Sequence, residues 1–198
     1  QSSKLDVNYL FNKKLLSSIF IGTIPIILLG GTIKLFVPYF FEKFLRSNSS
    51  IALVSLFMAF FMYIADSSKK GSITLKNYNY LNISLIGLSQ ALAIFPGVSR
   101  SGITISTGLL SGWKREDIAR FSFLLGIPAI SFAAIVEFIY SFNEFLSISF
   151  YPLILGLVTT FLTSLLAIDF LLKYFSLKGL KLFIIYRVFF SVLILLNL

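Results

Sequence analysis

The segment Pro96–Thr104 carries the side chains best suited to chemistry in this sequence. It reads PGVSRSGIT and places an arginine, three hydroxyl groups and two glycines inside a long apolar stretch. An arginine at bilayer depth costs at least about 2.5 kcal/mol, so it is expected to pair with a negatively charged group. A helix that begins after the Pro-Gly pair would also direct backbone amides and its positive dipole end at that group. These residue types predict a site that holds phosphate oxygens within a membrane.

The first turn after the Pro-Gly pair has the groups that such a site needs. Arg100 presents a planar fork of donors that matches two phosphate oxygens. Ser99 is predicted either to cap the new helix or to bind the ligand directly. If the helix begins near Ser99, its first free amides lie at about Ser101–Ile103.

Four further residues complete the predicted cradle. Ser101 and Thr104 are three residues apart and so share a helix face, which adds two hydroxyl donors. Gly97 and Gly102 are expected to leave room for a bulky anionic group near the backbone. The alternative is that the small residues only allow close helix packing and that the Pro-Gly pair is an ordinary kink. Packing alone does not explain Arg100, so the arginine favours a ligand.

The other polar residues of the apolar segments have less specific interpretations. An internal ion pair with Glu137 or Asp169 is the alternative partner for Arg100. Gln90 precedes the break and is expected either to support the site or to form a hydrogen bond between helices. Arg187 is predicted to reach the cytoplasmic interface.

The composition is that of a membrane protein. Of the 198 residues, 57% are hydrophobic and 13% are charged, whereas about 25% of the residues in soluble proteins are charged. The net charge is +9, but the basic residues cluster between hydrophobic segments, which indicates membrane orientation and not nucleic-acid binding. The sequence has no cysteine and no histidine, so it lacks thiolate metal ligands and the commonest general base.

The apolar segments predict an all-α, polytopic integral membrane protein. A membrane-spanning helix needs about 20 apolar residues. Segments of this kind are Leu15–Val37, Ile118–Tyr140, Tyr151–Leu172 and Leu182–Leu198. The segment Ile51–Ala65 is shorter and is predicted to span with help from its flanks.

The segment Leu81–Gly112 is predicted to be a re-entrant helical hairpin. Its two arms of about 15 residues meet at Pro96-Gly97, and each is too short for roughly 30 Å of hydrocarbon at a rise of about 1.5 Å per residue. A hairpin also leaves most lysines and arginines on one side of the membrane, with only Lys43 and Arg46 in the outer loops. Trp113, at its end, is predicted to be an anchor in the membrane interface.

The residues of the break resemble the PGxSRSxxT signature of the undecaprenyl-diphosphate phosphatase family, the bacitracin-resistance type. The resemblance covers essentially the whole chain and includes GLSQALAIFPGVSRSGITIS (Gly87–Ser106), FSFLLGIPA (Phe121–Ala129), TIP (Thr23–Pro25) and YR (Tyr186-Arg187). It implies an inverted-repeat protein of the bacterial plasma membrane with two re-entrant hairpins. It also implies removal of the terminal phosphate from a C55 isoprenoid diphosphate, so that the lipid carrier of cell-wall synthesis is reused.

The resemblance implies roles for three of the motif residues. Arg100 would bind the diphosphate and stabilise charge in the transition state, with Ser99 and Thr104 as hydrogen-bonding catalytic partners. Ser99 is alternatively a nucleophile. The family also implies a divalent cation, Mg²⁺ or Ca²⁺, for which no ligands are identified in this sequence.

The family's second half-site comes from an (E/Q)xxxE motif and an SSxxH segment, and this sequence contains neither. Gln90 matches the first position of the (E/Q)xxxE motif, but the position of its glutamate, four residues later, is occupied by Ile94. Residues 1–198 are therefore interpreted as one transmembrane domain of an N-terminally incomplete phosphatase, whose own turnover is in question. The alternative is a non-catalytic module that binds or translocates a polyprenyl phosphate. The expected partners are polyprenyl diphosphate and membrane lipids, and the oligomeric state stays open, a homodimer included.

Overall fold

Helices form most of the chain that the computed structural model describes, which comprises residues 12–36, 45–68, 71–142 and 150–196. In chain order they are α1 (Lys13–Phe36), α2 (Asn48–Asp66), α3 (Tyr80–Ala91), α4 (Arg100–Leu110), α5 (Arg115–Tyr140), α6 (Phe150–Lys178) and α7 (Lys181–Leu196). A 3₁₀ turn, Leu92–Ile94, follows α3 directly. The predicted all-α fold is confirmed, because β pairing in the described ranges is limited to isolated bridges.

Four of these helices, α1, α2, α5 and α6, are long and apolar enough to cross a membrane. The short predicted segment Ile51–Ala65 is part of a helix of 19 residues. Ser47 caps this helix by accepting the Ser50 amide at 3.3 Å. The last predicted span, Leu182–Leu198, corresponds to α7, of which 16 residues are described.

Helices α3 and α4 are the two arms of a helical hairpin. They contain 12 and 11 residues and are therefore about 18 and 16 Å long. Asn79 caps the first arm by accepting the Asn82 amide at 2.9 Å. At the base, the Ile73 amide donates to the Gly112 carbonyl at 3.0 Å, and the Lys114 amide donates to the Ile73 carbonyl at 2.8 Å. The chain therefore begins and ends the hairpin at the same end of the helix bundle.

The base of the hairpin belongs to a polar end of the bundle. Lys14 donates from Nζ to the Tyr78 carbonyl at 2.8 Å. Arg115 forms an ion pair with Asp66 and also donates to the Asp66 carbonyl at 2.7 Å. Gly179, between α6 and α7, has a φ of +70° and leaves no room for a side chain beside Arg115. Basic segments that are predicted to be cytoplasmic thus meet at one end, as the positive-inside orientation requires.

Trp113 is fully buried at this end and stacks between Tyr78 and Phe121, with ring centroids 5.5 Å from each. Its predicted role as an anchor in the membrane interface is therefore wrong. The three rings form a core under the hairpin because they bury a large apolar area together. Burial raises the pKa of the Tyr78 phenol, whose oxygen accepts a hydrogen bond from Ser18 at 3.2 Å.

Helices α1 and α3 cross at two glycines. A Cβ on Gly87 would lie 2.7 Å from the Gly22 Cα, so the two backbones are in contact. Gln90, one turn after Gly87, is fully buried and donates from Nε2 to the Gly22 carbonyl at 3.1 Å. Small residues and interhelical hydrogen bonds are common where membrane helices associate. Gln90 therefore forms a hydrogen bond between helices, which was one of its two predicted roles. This hydrogen bond holds the first arm of the hairpin against α1.

Replacement of Gly87 by alanine is expected to destabilise the folded protein by about 1–3 kcal/mol, because the new Cβ would overpack the crossing. Thermal denaturation in detergent measures the effect as a lower melting temperature. Gly156→Ala is the matched control, since a Cβ on Gly156 meets nothing within 4 Å. Equal melting temperatures for the two variants would contradict the close crossing.

Candidate functional site

The two arms of the hairpin meet at a break in the helical backbone, Phe95–Ser99. A turn hydrogen bond of 3.1 Å joins the Val98 amide to the Phe95 carbonyl. Gly97 has a φ of +90°, a conformation that favours glycine. A Cβ there would lie 2.7 Å from the Ile51 carbonyl oxygen of α2. The space predicted for an anionic group at Gly97 is therefore occupied by α2.

Ser99 caps α4, which is one of its two predicted roles. Its Oγ accepts the Gly102 amide at 3.1 Å, and its carbonyl accepts the Ile103 amide at 2.8 Å. Two of the amides predicted to face a phosphate are therefore used within the helix. A Cβ on Gly102 would meet the Ser99 Cβ at 2.9 Å and the Met62 sulfur at 3.2 Å. This glycine allows the cap and the packing against α2, and it also borders an open cavity.

The Arg100 side chain turns from α4 towards α5 and lies against Gly126. A Cβ on Gly126 would be 2.5 Å from the Arg100 Cζ, so the guanidinium packs on bare backbone. Its Nη1 is buried and has no hydrogen-bond partner in the described part of the chain. Within the same residues, the alternative ion pair with Glu137 or Asp169 is not formed. A buried charged donor without a partner is unfavourable, and a bound anion would satisfy it.

Thr104 is fully buried between α4 and α5. Its hydroxyl donates to the Arg100 carbonyl at 2.9 Å and shares a hydrogen bond of 2.7 Å with the Ser122 hydroxyl. Ser101 and Thr104 were predicted to share a helix face. In the structure Ser101 lines a cavity, whereas Thr104 is buried in the core. The contacts of Thr104 join the second arm of the hairpin to α5.

A cavity of about 200 Å³ opens beside the first turn of α4. Ser99, Ser101 and Arg187 form its polar end, and apolar side chains that include Phe175 and Phe183 form most of the remaining wall. We call it the inner cavity. It combines hydroxyl donors and a guanidinium with an apolar body.

Arg187 is a residue of the site that the sequence analysis missed. Its Nη1 donates to the Gly97 carbonyl at 2.9 Å and to the Ser55 hydroxyl at 3.1 Å. The prediction that Arg187 reaches the cytoplasmic interface is therefore wrong. The sequence did contain a signal for this contact, because an arginine inside an apolar helix needs an acceptor at that depth.

A larger cavity of about 570 Å³, the outer cavity, lies between α1 and α5. Its walls are mostly apolar. Ile94 and Ala129 lie at the end near the break, and Glu137 and Tyr140 lie towards the end of α5. Ala129 is about one turn beyond the glycine that contacts the Arg100 guanidinium. The outer cavity therefore approaches the site from the end of the bundle opposite to the hairpin base.

Within the described ranges, no group of three His, Cys, Asp or Glu side chains is placed to hold a metal ion. The carboxylates that open α5 are used structurally. Glu116 pairs with Arg120 at 2.6 Å, and Asp117 accepts the Leu75 amide at 3.1 Å. The described groups around the break are cationic and hydroxylic, which suits an anion better than a cation.

Comparison with known proteins identifies the family of this chain. Residues 4–193 match the model of the bacitracin resistance protein BacA. The chain belongs to this family. The undecaprenyl-diphosphatase of Prochlorococcus marinus strain MIT 9312 is 75% identical over all 198 residues, which cover 74% of that relative. That of strain MIT 9301 is 71% identical over the same 198 residues and 74% of its own length. That of strain CCMP1986 is 59% identical over 197 residues, which cover 74% of it.

The match to the BacA family includes the residues that build the break. Ser99, Arg100, Gly126 and Arg187 all lie within the matched range. The family predicted from the PGxSRSxxT signature is therefore confirmed. Membership in the BacA family names no side-chain role, so the roles proposed below rest on the geometry of the break and on the sequence resemblance.

Thr104→Val is expected to destabilise the protein by about 1–3 kcal/mol, because valine keeps the shape of threonine and leaves the buried Ser122 hydroxyl without that partner. In thermal denaturation, the double variant with Ser122→Ala should lose less stability than the sum of the two single variants. Thr104→Ser keeps the hydroxyl and is the matched control. Strict additivity would show that the two hydroxyls do not interact.

Proposed function

We propose that this protein is an undecaprenyl-diphosphatase, which hydrolyses the terminal phosphate of a C55 polyprenyl diphosphate in the bacterial plasma membrane. Two relatives that are 71% and 75% identical over the whole chain carry that name. The single observation that supports the site is the buried Nη1 of Arg100, which has no partner in the described chain and lies at the tip of a broken hairpin. The activity would return the lipid carrier to cell-wall synthesis.

Arg100 is proposed to supply the positive charge that the reaction requires. When water attacks the terminal phosphorus, the bond to the bridging oxygen breaks, and negative charge spreads over the phosphoryl and leaving oxygens. A guanidinium can donate to two of these oxygens at once. Because the guanidinium packs against α5 and its Nη1 is buried, this stabilisation of the transition state is stronger than it would be in water.

Ser99 and Ser101 are proposed to donate hydroxyl protons to the phosphate, since both line the inner cavity at the break. Ser99 accepts the Gly102 amide, which leaves its own proton available for a phosphate oxygen. As a nucleophile Ser99 would need a base. In the described part of the chain its side-chain hydrogen bond is to backbone and not to a carboxylate. Water is therefore the proposed attacking group.

The isoprenoid chain of the substrate is proposed to approach from the lipid through the outer cavity. The walls of this cavity are mostly apolar and extend along α5 to Tyr140. Arg115, at the opposite end of α5, belongs to the basic end of the bundle. With this basic end on the cytoplasmic side, the outer cavity would open on the outer side of the membrane. This arrangement supports a site that faces outward.

Arg100→Ala is expected to lower phosphate release by about 10²–10³-fold, because one preorganised donor to the transition state is lost. The measurement is orthophosphate released from polyprenyl diphosphate by the intact protein in detergent. Arg100→Lys keeps the charge but loses the fork, so its activity should be intermediate. Lys173→Ala, at an exposed residue paired with Asp169 on α6, is the control.

Activity of Arg100→Ala close to that of the unaltered protein would remove Arg100 from the site. The alternative function, binding or translocation of a polyprenyl phosphate without cleavage, is decided by the same assay. Lipid that binds to the unaltered intact protein with no release of phosphate would establish the alternative.

A divalent cation, Mg²⁺ or Ca²⁺, is a further part of the proposal and comes from the family resemblance. The described residues at the break do not fit such a cation, because they form no ligand cluster, and no step of the reaction is assigned to it. Chelation with EDTA is expected to lower phosphate release by the intact protein, and added Mg²⁺ or Ca²⁺ should restore it. Full activity after chelation would exclude the requirement.

A further inference from the structure

The tip of the hairpin is held by an arginine from a distant helix. Arg187 of α7 donates from Nη1 to the Gly97 carbonyl at 2.9 Å and to the Ser55 hydroxyl at 3.1 Å. We infer that Arg187 is a positioning residue for the phosphate site, because it fixes the broken tip and, through the tip, Arg100. The inference rests on the proposed function, since it concerns the geometry that Arg100 needs in catalysis.

The Gly97 carbonyl needs a donor that the hairpin itself does not provide. The break interrupts the helical hydrogen-bond ladder, and Gly97 has a left-handed φ of +90°. A carbonyl without a donor at membrane depth is strongly unfavourable. A guanidinium suits this position because it carries several donors in one rigid plane and stays charged.

Helix α2 supports the tip from a second side. Ser55, which shares the Arg187 Nη1, lies one helical turn after Ile51, so the two residues are on one face of α2. A Cβ on Gly97 would lie 2.7 Å from the Ile51 carbonyl oxygen and 3.1 Å from the Val54 Cβ. Gly97 is therefore enclosed between the α2 backbone and the guanidinium. A shift of the tip would break one of these contacts.

A shift at Gly97 would be transmitted to Arg100 over a short stretch of chain. Ser99, two residues on, is the cap of α4, and Arg100 is the first residue of that helix. The Arg100 guanidinium must lie within hydrogen-bond distance of the phosphate oxygens as charge develops. A misplacement of about 1 Å can lower a rate by about 10²-fold.

Arg187→Ala in the intact protein is expected to lower kcat for phosphate release by about 10²-fold, with KM changed by less than about threefold. Loss of position lowers the rate of the chemical step, whereas loss of a substrate contact would raise KM. Arg187 also lines the inner cavity, so a rise in KM that exceeds the fall in kcat would assign it to phosphate binding and overturn the inference. An unchanged kcat would overturn it as well.

Two milder variants grade the effect. Arg187→Lys keeps a charged donor for the Gly97 carbonyl and should recover at least several-fold of the kcat that alanine loses. Ser55→Ala removes only the second contact and should lower kcat by about tenfold or less. Lys173→Ala controls for the loss of a basic residue. A kcat of Arg187→Lys no higher than that of Arg187→Ala would contradict a role of Arg187 through the Gly97 carbonyl.

Hydrogen exchange of a peptide that contains Gly97–Ile103, followed by mass spectrometry, monitors the tip without using activity. The Gly102 amide donates a hydrogen bond to the Ser99 Oγ and should exchange faster in Arg187→Ala. The exchange rate of peptides from α6 should not change. Unchanged exchange at the tip would overturn the inference. If Arg187→Ala does not fold, Ser55→Ala carries the same comparison.

The exchange result also separates the two proposals. If Arg100→Ala retains activity, the proposed site fails, whereas faster exchange in Arg187→Ala would still establish that Arg187 holds the tip. If Arg100→Ala is inactive while Arg187→Ala has full activity and an unchanged tip, the positioning role fails alone.

Discussion

A buried cationic nitrogen that no described residue neutralises is the constraint on which the site depends. The Arg100 Nη1 lies against bare backbone of α5 at Gly126 and has no hydrogen-bond partner among the described residues. Removal of a charge from water is unfavourable unless an opposite charge compensates for it. The fold must therefore keep this side chain in place, and an anion must complete its hydrogen bonds. Both requirements describe a binding site better than a structural one.

The two arginines at the break show how the available acceptors decide a role. Arg187 meets a backbone carbonyl and a serine hydroxyl, and it holds the tip. Arg100 meets neither a carboxylate nor a carbonyl in the described chain, and its Nη1 is left for a ligand. Thr104 resembles Arg187, because its side chain also finds its hydrogen-bond partners within the protein. Its hydroxyl bonds to the Ser122 hydroxyl and to the Arg100 carbonyl. Polar residue types in an apolar helix therefore do not by themselves separate support from function.

Local features of this fold could be predicted from the sequence. The length of the apolar segments gave the helices, and the Pro-Gly pair followed by a serine gave the break and the Ser99 cap. The predictions that the structure contradicts concern residues whose contact partners are remote in sequence. Trp113 is buried because Tyr78 and Phe121 stack on its two sides.

The glycines of the motif illustrate the same limit. The sequence predicts room for an anion beside Gly97 and Gly102, but periodicity does not tell whether a ligand or another helix occupies that room. At Gly97 the Ile51 carbonyl of α2 occupies that space, whereas Gly102 contacts Met62 and also lines the inner cavity. The acceptor of Arg187 lies 90 positions away in the chain, and no local pattern identifies it.

That separation has a consequence for biosynthesis. At about 5–20 residues per second, the ribosome needs roughly 5–18 seconds to translate the 90 positions between the glycine carbonyl and its arginine donor. For that interval the apex of the nascent hairpin has an exposed carbonyl that lipid cannot hydrate. It must stay in contact with water, with the translocation machinery or with some other temporary donor until α7 has been made. The contact that holds the apex therefore cannot form before α7 has been made, and truncation before α7 would leave the apex without its arginine donor.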